Sequence, residues 1–554
     1  MQEHIATLLR ETLAVAAAAG ELPAVTVEPA VTVPKDKAHG DFATNLALMA
    51  AKAAGRKPQD IAALLVERLR GNAMFSKIEI AGPGFINFTV DRGYWPRELA
   101  RLAKLGDALT QGAPEKPLKM MVEFVSANPT GPLHVGHGRG AAVGDSLVRL
   151  LRAAGHKVDA EYYINDAGNQ MATLGRSTWV RYQQLHGRPI EMPENHYMGD
   201  YMIDIAKELT RQRGASLLEM PEAEALAICE VFAGKSILDG IRDDLMQFGV
   251  NFERWYSEKA LVDSGRVDKE IERLKQAGWI VERDGALWLR TIDLVGDDKD
   301  RVVVRANGVK TYYASDIAYH LEKYERGYDV CVNIWGSDHH GYMPRIRAVL
   351  QAAGISQDRL QVLLVQFVNL LRDGKQISMS TRSGEFETLK AVVDEVGKDA
   401  ARFFFLLRKS DAHLDFDLEL AKKQSNENPV FYVQYAHARI CSVFKAAAEK
   451  GVVEAAADQV DFSQLTSDEE INLIKGIQDY PRMIADAAAD FAPHRVSFYL
   501  LELAARFHKF YNTQRIVDEG NVPLSQARMV LCRTVQRVVR AALSVYAVSA
   551  PESM

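Results

Sequence analysis

The stretch from Lys119 to Ile164 constrains the fold of this chain more than any other. It opens on MMVEFV, an apolar run too short for a helix and followed by a Gly- and Pro-rich loop, which reads as a buried strand. Beyond the loop, Val143, Leu147, Leu150, Leu151 and Ala154 recur at i, i+4, i+7, i+8 and i+11, one face of a helix that Gly155 ends. A second strand, VDAEYYI, follows directly. Strand, crossover helix and strand make a βαβ unit, which predicts a parallel, doubly wound sheet that takes ligands at the carboxyl ends of its strands.

Shifts of pattern on either side set the expected domains. Residues 1–110 hold helical segments at 2–19 and 42–70, then KIEIAGPGFINFTV, a strand pair turning at Pro83–Gly84. That is an α+β module, closed by the linker LGDALTQGAPEKP. Residues 111–424 form the α/β domain, with a mostly helical insertion at about 165–300 that includes a small strand pair near WIVERDGALWLRT. The α/β pattern resumes in DVCVNIWG and VLLVQFVNLL. Residues 425–554 read as helices only, broken near Gly451, Pro493 and Pro523, and predict a terminal bundle. The expected fold class is therefore α/β, a Rossmann-like domain between an N-terminal α+β domain and a C-terminal all-helical bundle.

At 554 residues and 47% hydrophobic composition the chain fills several cores. No apolar run reaches the roughly 20 residues of a membrane span. LAVAAAAGELPA follows Glu3 and Glu11 and lacks the basic start of a secretory signal, so a soluble, cytoplasmic protein is expected. Cys229, Cys331, Cys441 and Cys532 lie far apart, and no zinc knuckle is expected. A formal net charge of −6 argues against sequence-independent adhesion to polyanions. Contact with RNA then has to come from local patches.

The loop between the first strand and its helix is SANPTGPLHVGHGRG, Ser126 to Gly140. Free N–H groups and the positive end of the dipole at that helix start suit a phosphate. His134 and His137, three apart, fall in the last loop turn and the first helical turn, and Gly136 between them leaves room for a nucleotide ring. A second polar loop, DGKQISMSTRSG, follows VLLVQFVNLL. Alone, either loop reads as a tight surface turn. As a pair they resemble the HIGH and KMSKS signatures of class I aminoacyl-tRNA synthetases, which hold ATP. Ser378, Met379, Ser380, Thr381 and Arg382 occupy the KMSKS places without its lysines, so Arg382 or Lys375 takes over the cationic role. Some members place a lysine just before HIGH; here Gly131 stands there.

The resemblance narrows to the arginyl-tRNA synthetase family through EFVSANPTGPLHVGHGRG, TYYASDIAYH, YVQYAHARI, the N-terminal HGDFATNLAL and the ending AVSAPESM, and it covers nearly the whole chain. It implies activation of L-arginine with ATP and Mg2+, no bound zinc, and transfer to the terminal adenosine of tRNA(Arg) by a monomer, often with tRNA required before activation. By similarity His134, His137, Ser380 and Arg382 are catalytic, and His134, Gly136, His137, Ser378, Met379 and Ser380 bind ATP. Glu123 and Asn128 hold the polar end of the amino acid, Tyr312 and Asp316 its guanidinium, and Asp338 joins them. Tyr432, Tyr435 and Arg439, with Tyr511 opposite, meet the anticodon loop, and KDKAHGDFATN meets the tRNA elbow.

Physical chemistry agrees with parts of this. A guanidinium site needs carboxylates, and Glu123, Asp316 and Asp338 all fall at the expected ligand edge. Tyr312 precedes Asp316 by four residues, on one helical face. Tyr432, Tyr435 and Arg439 share another, the residue types on which unpaired bases stack. His339 and His340 beside Asp338 lack the further ligands of a metal site. Three rivals fit less well: a zinc-dependent synthetase would show clustered Cys and His, a small nucleotidyltransferase would not need the flanking domains, and a non-enzymatic tRNA-binding paralogue usually loses the paired histidines.

Overall fold

The computed structural model describes residues 1–377 and 387–554. In the first module α1 (Gln2–Ala18) buries Ile5, Leu9, Leu13 and Ala16 at helical spacing. The elements β1 (Val31–Thr32), β2 (Phe42–Thr44), α2 (Leu46–Ala54), α3 (Pro58–Leu69), β3 (Phe75–Ala81), β4 (Phe85–Val90) and α4 (Tyr94–Leu105) follow. The strands pair antiparallel in the order β1-β2-β4-β3. The single helix expected over 42–70 is instead a strand and two helices. Phe42 and Thr44 alternate inward over three residues, too few to register as a period, and Gly55 stops α2 in a left-handed conformation before Pro58 restarts the chain as α3.

The second domain contains β5 (Lys119–Glu123), α5 (Val135–Ala153), β6 (Lys157–Ile164), α6 (Asn169–Leu185), α7 (Asp200–Arg213) and α8 (Glu222–Gln247). Next come β7 (Arg254–Ser257), α9 (Glu258–Asp263), α10 (Arg266–Gln276), β8 (Ile280–Arg283), β9 (Ala286–Leu289), α11 (Thr291–Val295) and β10 (Arg301–Val304). The chain continues through α12 (Tyr312–Glu325), β11 (Val330–Gly336), α13 (Met343–Ala352) and β12 (Leu360–Val365). Five strands form one parallel sheet in the order β12-β11-β5-β6-β7. The order reverses beside β5, so a crevice opens between the carboxyl ends of β5 and β11. The region expected as an insertion at 165–300 supplies the edge strand β7, whose four residues give no alternation that sequence could report.

VLLVQFVNLL is two strands rather than one. The chain leaves the main sheet at Gln366 and Phe367 and enters a smaller one as β13 (Val368–Arg372). That strand pairs with β14 (Lys375–Gln376), and after α14 (Leu389–Val396) and α15 (Lys398–Phe405) also with β15 (Leu414–Asp417). A short α16 (Leu418–Lys422) leads to α17 (Pro429–Glu449), α18 (Asp468–Ala489), α19 (Arg495–Thr513) and α20 (Val522–Val545). Packing joins bundle and sheet domain through Arg402, a fully buried side chain of α15. It donates to Asp145 of α5 at 2.5 Å, to the Phe248 carbonyl at 3.1 Å and to the Tyr546 carbonyl. No helix among the described residues is long and apolar enough to cross a membrane.

Candidate active site

The paired histidines cap α5 reciprocally. His134 is the N-cap, and its Nδ1 accepts the N–H groups of Gly136 at 3.0 Å and His137 at 3.4 Å, while the His134 N–H donates to Nδ1 of His137 at 3.3 Å. Backbone N–H groups only donate, so both Nδ1 atoms are acceptors and both neutral rings carry their proton on Nε2. The rings stack with centroids 3.7 Å apart. Burial pushes the His137 pKa down to about 3, helped by His134, and also lowers that of His134, so the pair stays neutral near pH 7. Two neutral N–H donors at a helix N-terminus suit an anion whose charge grows during reaction. Gly136 makes the arrangement possible in a way the sequence did not suggest: a Cβ there would stand 2.9 Å from Cε1 and 3.0 Å from Nδ1 of His134. The space it leaves belongs to the imidazole.

Between β5 and this cap the backbone takes two consecutive left-handed residues, Val125 and Ser126. Such conformations are costly for a β-branched residue and persist only where the surroundings impose them. The Ser126 hydroxyl imposes this one, donating to Glu123 at 3.2 Å and accepting the Tyr163 N–H at 3.2 Å. The loop then carries the exposed Asn128 to the end of β6, where Asn165 donates to it at 3.1 Å and Asn128 donates to Gln170 at 2.8 Å.

Three acids surround Tyr163 at the carboxyl edge of the sheet: Glu123, Asp316 and Glu258. The Glu123 carboxylate is already satisfied by Lys323, fully buried, at 2.5 Å, and by the Tyr319 hydroxyl at 3.2 Å. Within the chain it thereby ties α12 to the loop that follows β5. Asp316 is different. Burial above all, with Glu258 and Glu123, pushes its pKa up to about 7, against a hydrogen bond from Tyr342 and the charge of Lys323. Glu258, 5% exposed at the end of β7 with the Ser315 and Tyr163 hydroxyls beside it, is also raised by burial. Burial raises both acids, and Glu258 helps to hold the Asp316 pKa up, so the two form a pocket short of positive charge. Tyr312 lies one helical turn before Asp316, largely exposed, with Gly168 facing its ring. Glu258 escaped the sequence reading; its only signal was its place after a strand at the ligand edge. Asp338 is not gathered into this pocket, being 63% exposed with His339 at 3.8 Å, because its turn faces solvent.

Ser378, Met379, Ser380, Thr381 and Arg382 lie outside the described residues. Their neighbours on the C-terminal side are tied to the histidine cap. The Glu387 carbonyl accepts the Val135 N–H at 3.2 Å, the Leu133 carbonyl accepts the Leu389 N–H at 2.8 Å, and His134 bridges to Thr388. On the N-terminal side the exposed Lys375 lies on β14.

A second cluster gathers Tyr432, Tyr435, Arg439 and Tyr511, all half-buried, between α17 and α19. The Arg439 guanidinium lies 4.4 Å over the Tyr435 ring and 4.8 Å over that of Tyr511. His508, which the sequence gave no reason to select, completes it: it contacts the Tyr432 ring at 4.6 Å, takes a hydrogen bond from Arg439 at 3.2 Å and meets the Tyr432 carbonyl at 3.1 Å.

Three family models match this chain in order: the arginyl tRNA synthetase N terminal domain over residues 3–90, the tRNA synthetases class I (R) catalytic domain over 102–412, and the DALR anticodon binding domain over 433–554. An arginine–tRNA ligase of Geobacter sp. (strain M21) is 52% identical over 536 residues, covering 97% of this chain and 96% of its own. Another, from Oleidesulfovibrio alaskensis, is 49% identical over the full length of both chains. The solved structure of Thermus thermophilus arginyl-tRNA synthetase superposes over all of both chains with a TM-score of 0.76 at 23% identity, a likeness of fold.

Proposed function

The chain belongs to the arginyl-tRNA synthetase family and is a class I arginine–tRNA ligase, and on that premise we propose how its residues divide the reaction. Arginine places its guanidinium between Asp316 and Glu258 beside Tyr312, and Asn128 takes its polar end. The observation that carries this assignment is the pair of carboxylates beside Tyr163, both raised by burial, which a planar cation with a fork of donors neutralises. No other natural amino acid side chain offers that fork.

In the first step the arginine carboxylate attacks the α-phosphate of ATP and expels pyrophosphate. The chain supplies position and charge more than covalent chemistry. The Nε2–H groups of His134 and His137 donate to oxygens that gain charge, at the positive end of the α5 dipole. Arg382 or Lys375 meets the pyrophosphate. Mg2+, when bound with the triphosphate, neutralises part of its charge. In the second step the terminal adenosine of tRNA(Arg) takes the arginyl group, while Tyr432, Tyr435, Arg439 and Tyr511 contact the anticodon loop. The domains divide this work at about residues 110 and 425, the enzyme acts as a monomer, and it works in the cytoplasm, where its tRNA is used.

Pyrophosphate exchange with each of the twenty amino acids, with and without total tRNA, tests this reading. Exchange driven by arginine alone is the expected result. Exchange at similar rates with lysine or glutamine would remove the paired acids from the specificity pocket.

A further inference from the structure

We propose that Arg139 is a positioning residue for adenylation: its guanidinium holds the β13–β14 hairpin, and Lys375 on it, in register with the His134–His137 cap. This rests on the reading of that cap as the phosphate-facing part of the site.

Arg139 follows His137 by two residues on α5, and its side chain is fully buried. Nη1 donates to the carbonyls of Gln366 and Ala412, each at 2.8 Å, and Nη2 to that of Lys409 at 3.0 Å. Those acceptors come from separate segments. Gln366 stands where the chain passes from β12 to β13, and Lys409 and Ala412 belong to the turn that leads into β15. Strand β15 pairs with β13 from Val368↔Leu414 to Leu371↔Asp417, and β13 pairs with β14 at Arg372↔Lys375. One planar group thus fixes the starts of β13 and β15, the two parallel strands that carry the hairpin, to the first turns of the helix that presents the histidines.

The arrangement is an expensive way to build a mere clamp. Among the described residues the acid acting on Arg139 is Asp411, with no direct ion pair; carbonyl dipoles meet the charge, and burial pushes the pKa down to about 10. Nε is buried without a hydrogen-bond partner among the described residues. Interring a guanidinium with so little compensation is unfavourable unless three converging carbonyls need a rigid fork, which no neutral side chain and no lysine provides. By contrast Arg402, the other fully buried arginine of this region, has a carboxylate on it. The Gln366 junction is held again by its own N–H to the Ser410 carbonyl at 2.8 Å and by Ser337, whose hydroxyl donates to the Gln366 side chain at 2.6 Å. The arginine pocket is carried by β7, α9 and α12, none of which bonds to Arg139. A disturbed fork should therefore be felt by ATP and not by arginine.

Arg139→Lys keeps the charge and removes the fork. With tRNA present and well below the melting temperature of the variant, arginine-dependent pyrophosphate exchange per folded molecule should fall about 10²-fold in kcat, the scale of an ångström's misplacement. KM for ATP should rise severalfold, while KM for arginine and Kd for tRNA stay within twofold. Ser410→Gly, which loosens only the acceptor turn, should shift ATP parameters in the same direction by a few fold, and it decides the matter if the lysine variant does not fold. A lowered melting temperature with unchanged kcat and KM for ATP would reduce Arg139 to a structural role. A KM for arginine rising in step with that for ATP would overturn the proposal as well. Absence of arginine-dependent exchange in the unaltered chain would instead refute the ligase reading on which it stands.

Discussion

Gly136→Ala adds one methyl group at a place where the histidine cap leaves no room for it. The new Cβ would lie 2.9 Å from Cε1 and 3.0 Å from Nδ1 of His134. Ordinary carbon contacts begin near 3.5 Å, so the imidazole must retreat by about half an ångström. Its bonds to the amides of Gly136 and His137, 3.0 and 3.4 Å long, cannot survive that retreat. The energetics separate stability from activity. Losing the N-cap costs about 1 kcal/mol, and replacing glycine by alanine in a helix returns up to about 1 kcal/mol. The melting temperature should then move by no more than about 2 °C. Adenylation should fall by about 10² to 10³-fold, the effect of losing one preorganised donor to a developing oxyanion. Calorimetry and arginine-dependent pyrophosphate exchange on the same preparation measure both. Unimpaired exchange would refute the claim that the His134 ring is held for phosphate, and inactivity explained by unfolding would refute the claim that the methyl acts only on the cap.

The acid pocket predicts a proton released on arginine binding. The guanidinium stays charged, so below about pH 7 it must displace the proton on Asp316. KM for arginine should fall by up to about tenfold per unit as pH rises from 6 to 7, then level off. Asp316→Asn should abolish that dependence and raise KM for arginine by about 10² to 10³-fold, the scale for removing one partner of a buried ion pair, while KM for ATP stays within threefold; equal changes in both would remove Asp316 from the pocket. Tyr435→Ala removes a ring from the cluster on α17 and α19 and should weaken tRNA(Arg) binding by about 1–3 kcal/mol in a filter-binding assay, leaving KM for arginine unchanged. Gly144→Ala places a Cβ 2.2 Å from the Phe124 ring, between α5 and β5, and should cost about 1–3 kcal/mol of stability by calorimetry; an unshifted transition would mean the helix can lift off the strand freely.

Much of this molecule was legible before it was folded. The βαβ unit at Lys119 to Ile164 emerged where the periodicities placed it, because a helix of nineteen residues and a strand buried on one sheet advertise themselves over many positions. The four long helices after residue 429 did so as well, breaking close to the prolines and glycine that mark them. Short elements did not. Strand β7 has four residues, β2 three, and the passage from β12 to β13 only two between them, lengths over which neither period accumulates.

The site divides the same way. Sequence alone set the chemical types and their local spacing: two histidines three apart, a tyrosine and an aspartate on one helical turn, two tyrosines and an arginine on another. It could not decide which acid stays unpaired, because that depends on the partner each finds across the sheet. Lys323, two hundred residues away, bonds directly to Glu123, whereas the side-chain hydrogen bonds that reach Asp316 and Glu258 come from the hydroxyls of Tyr342, Ser315 and Tyr163. It could not supply Glu258, His508 or the three carbonyls on Arg139, which are contacts between segments with no relation in sequence. Local patterns follow from the geometry of a single helix or strand; charge balance and positioning follow from burial, which exists only once distant segments have excluded water together.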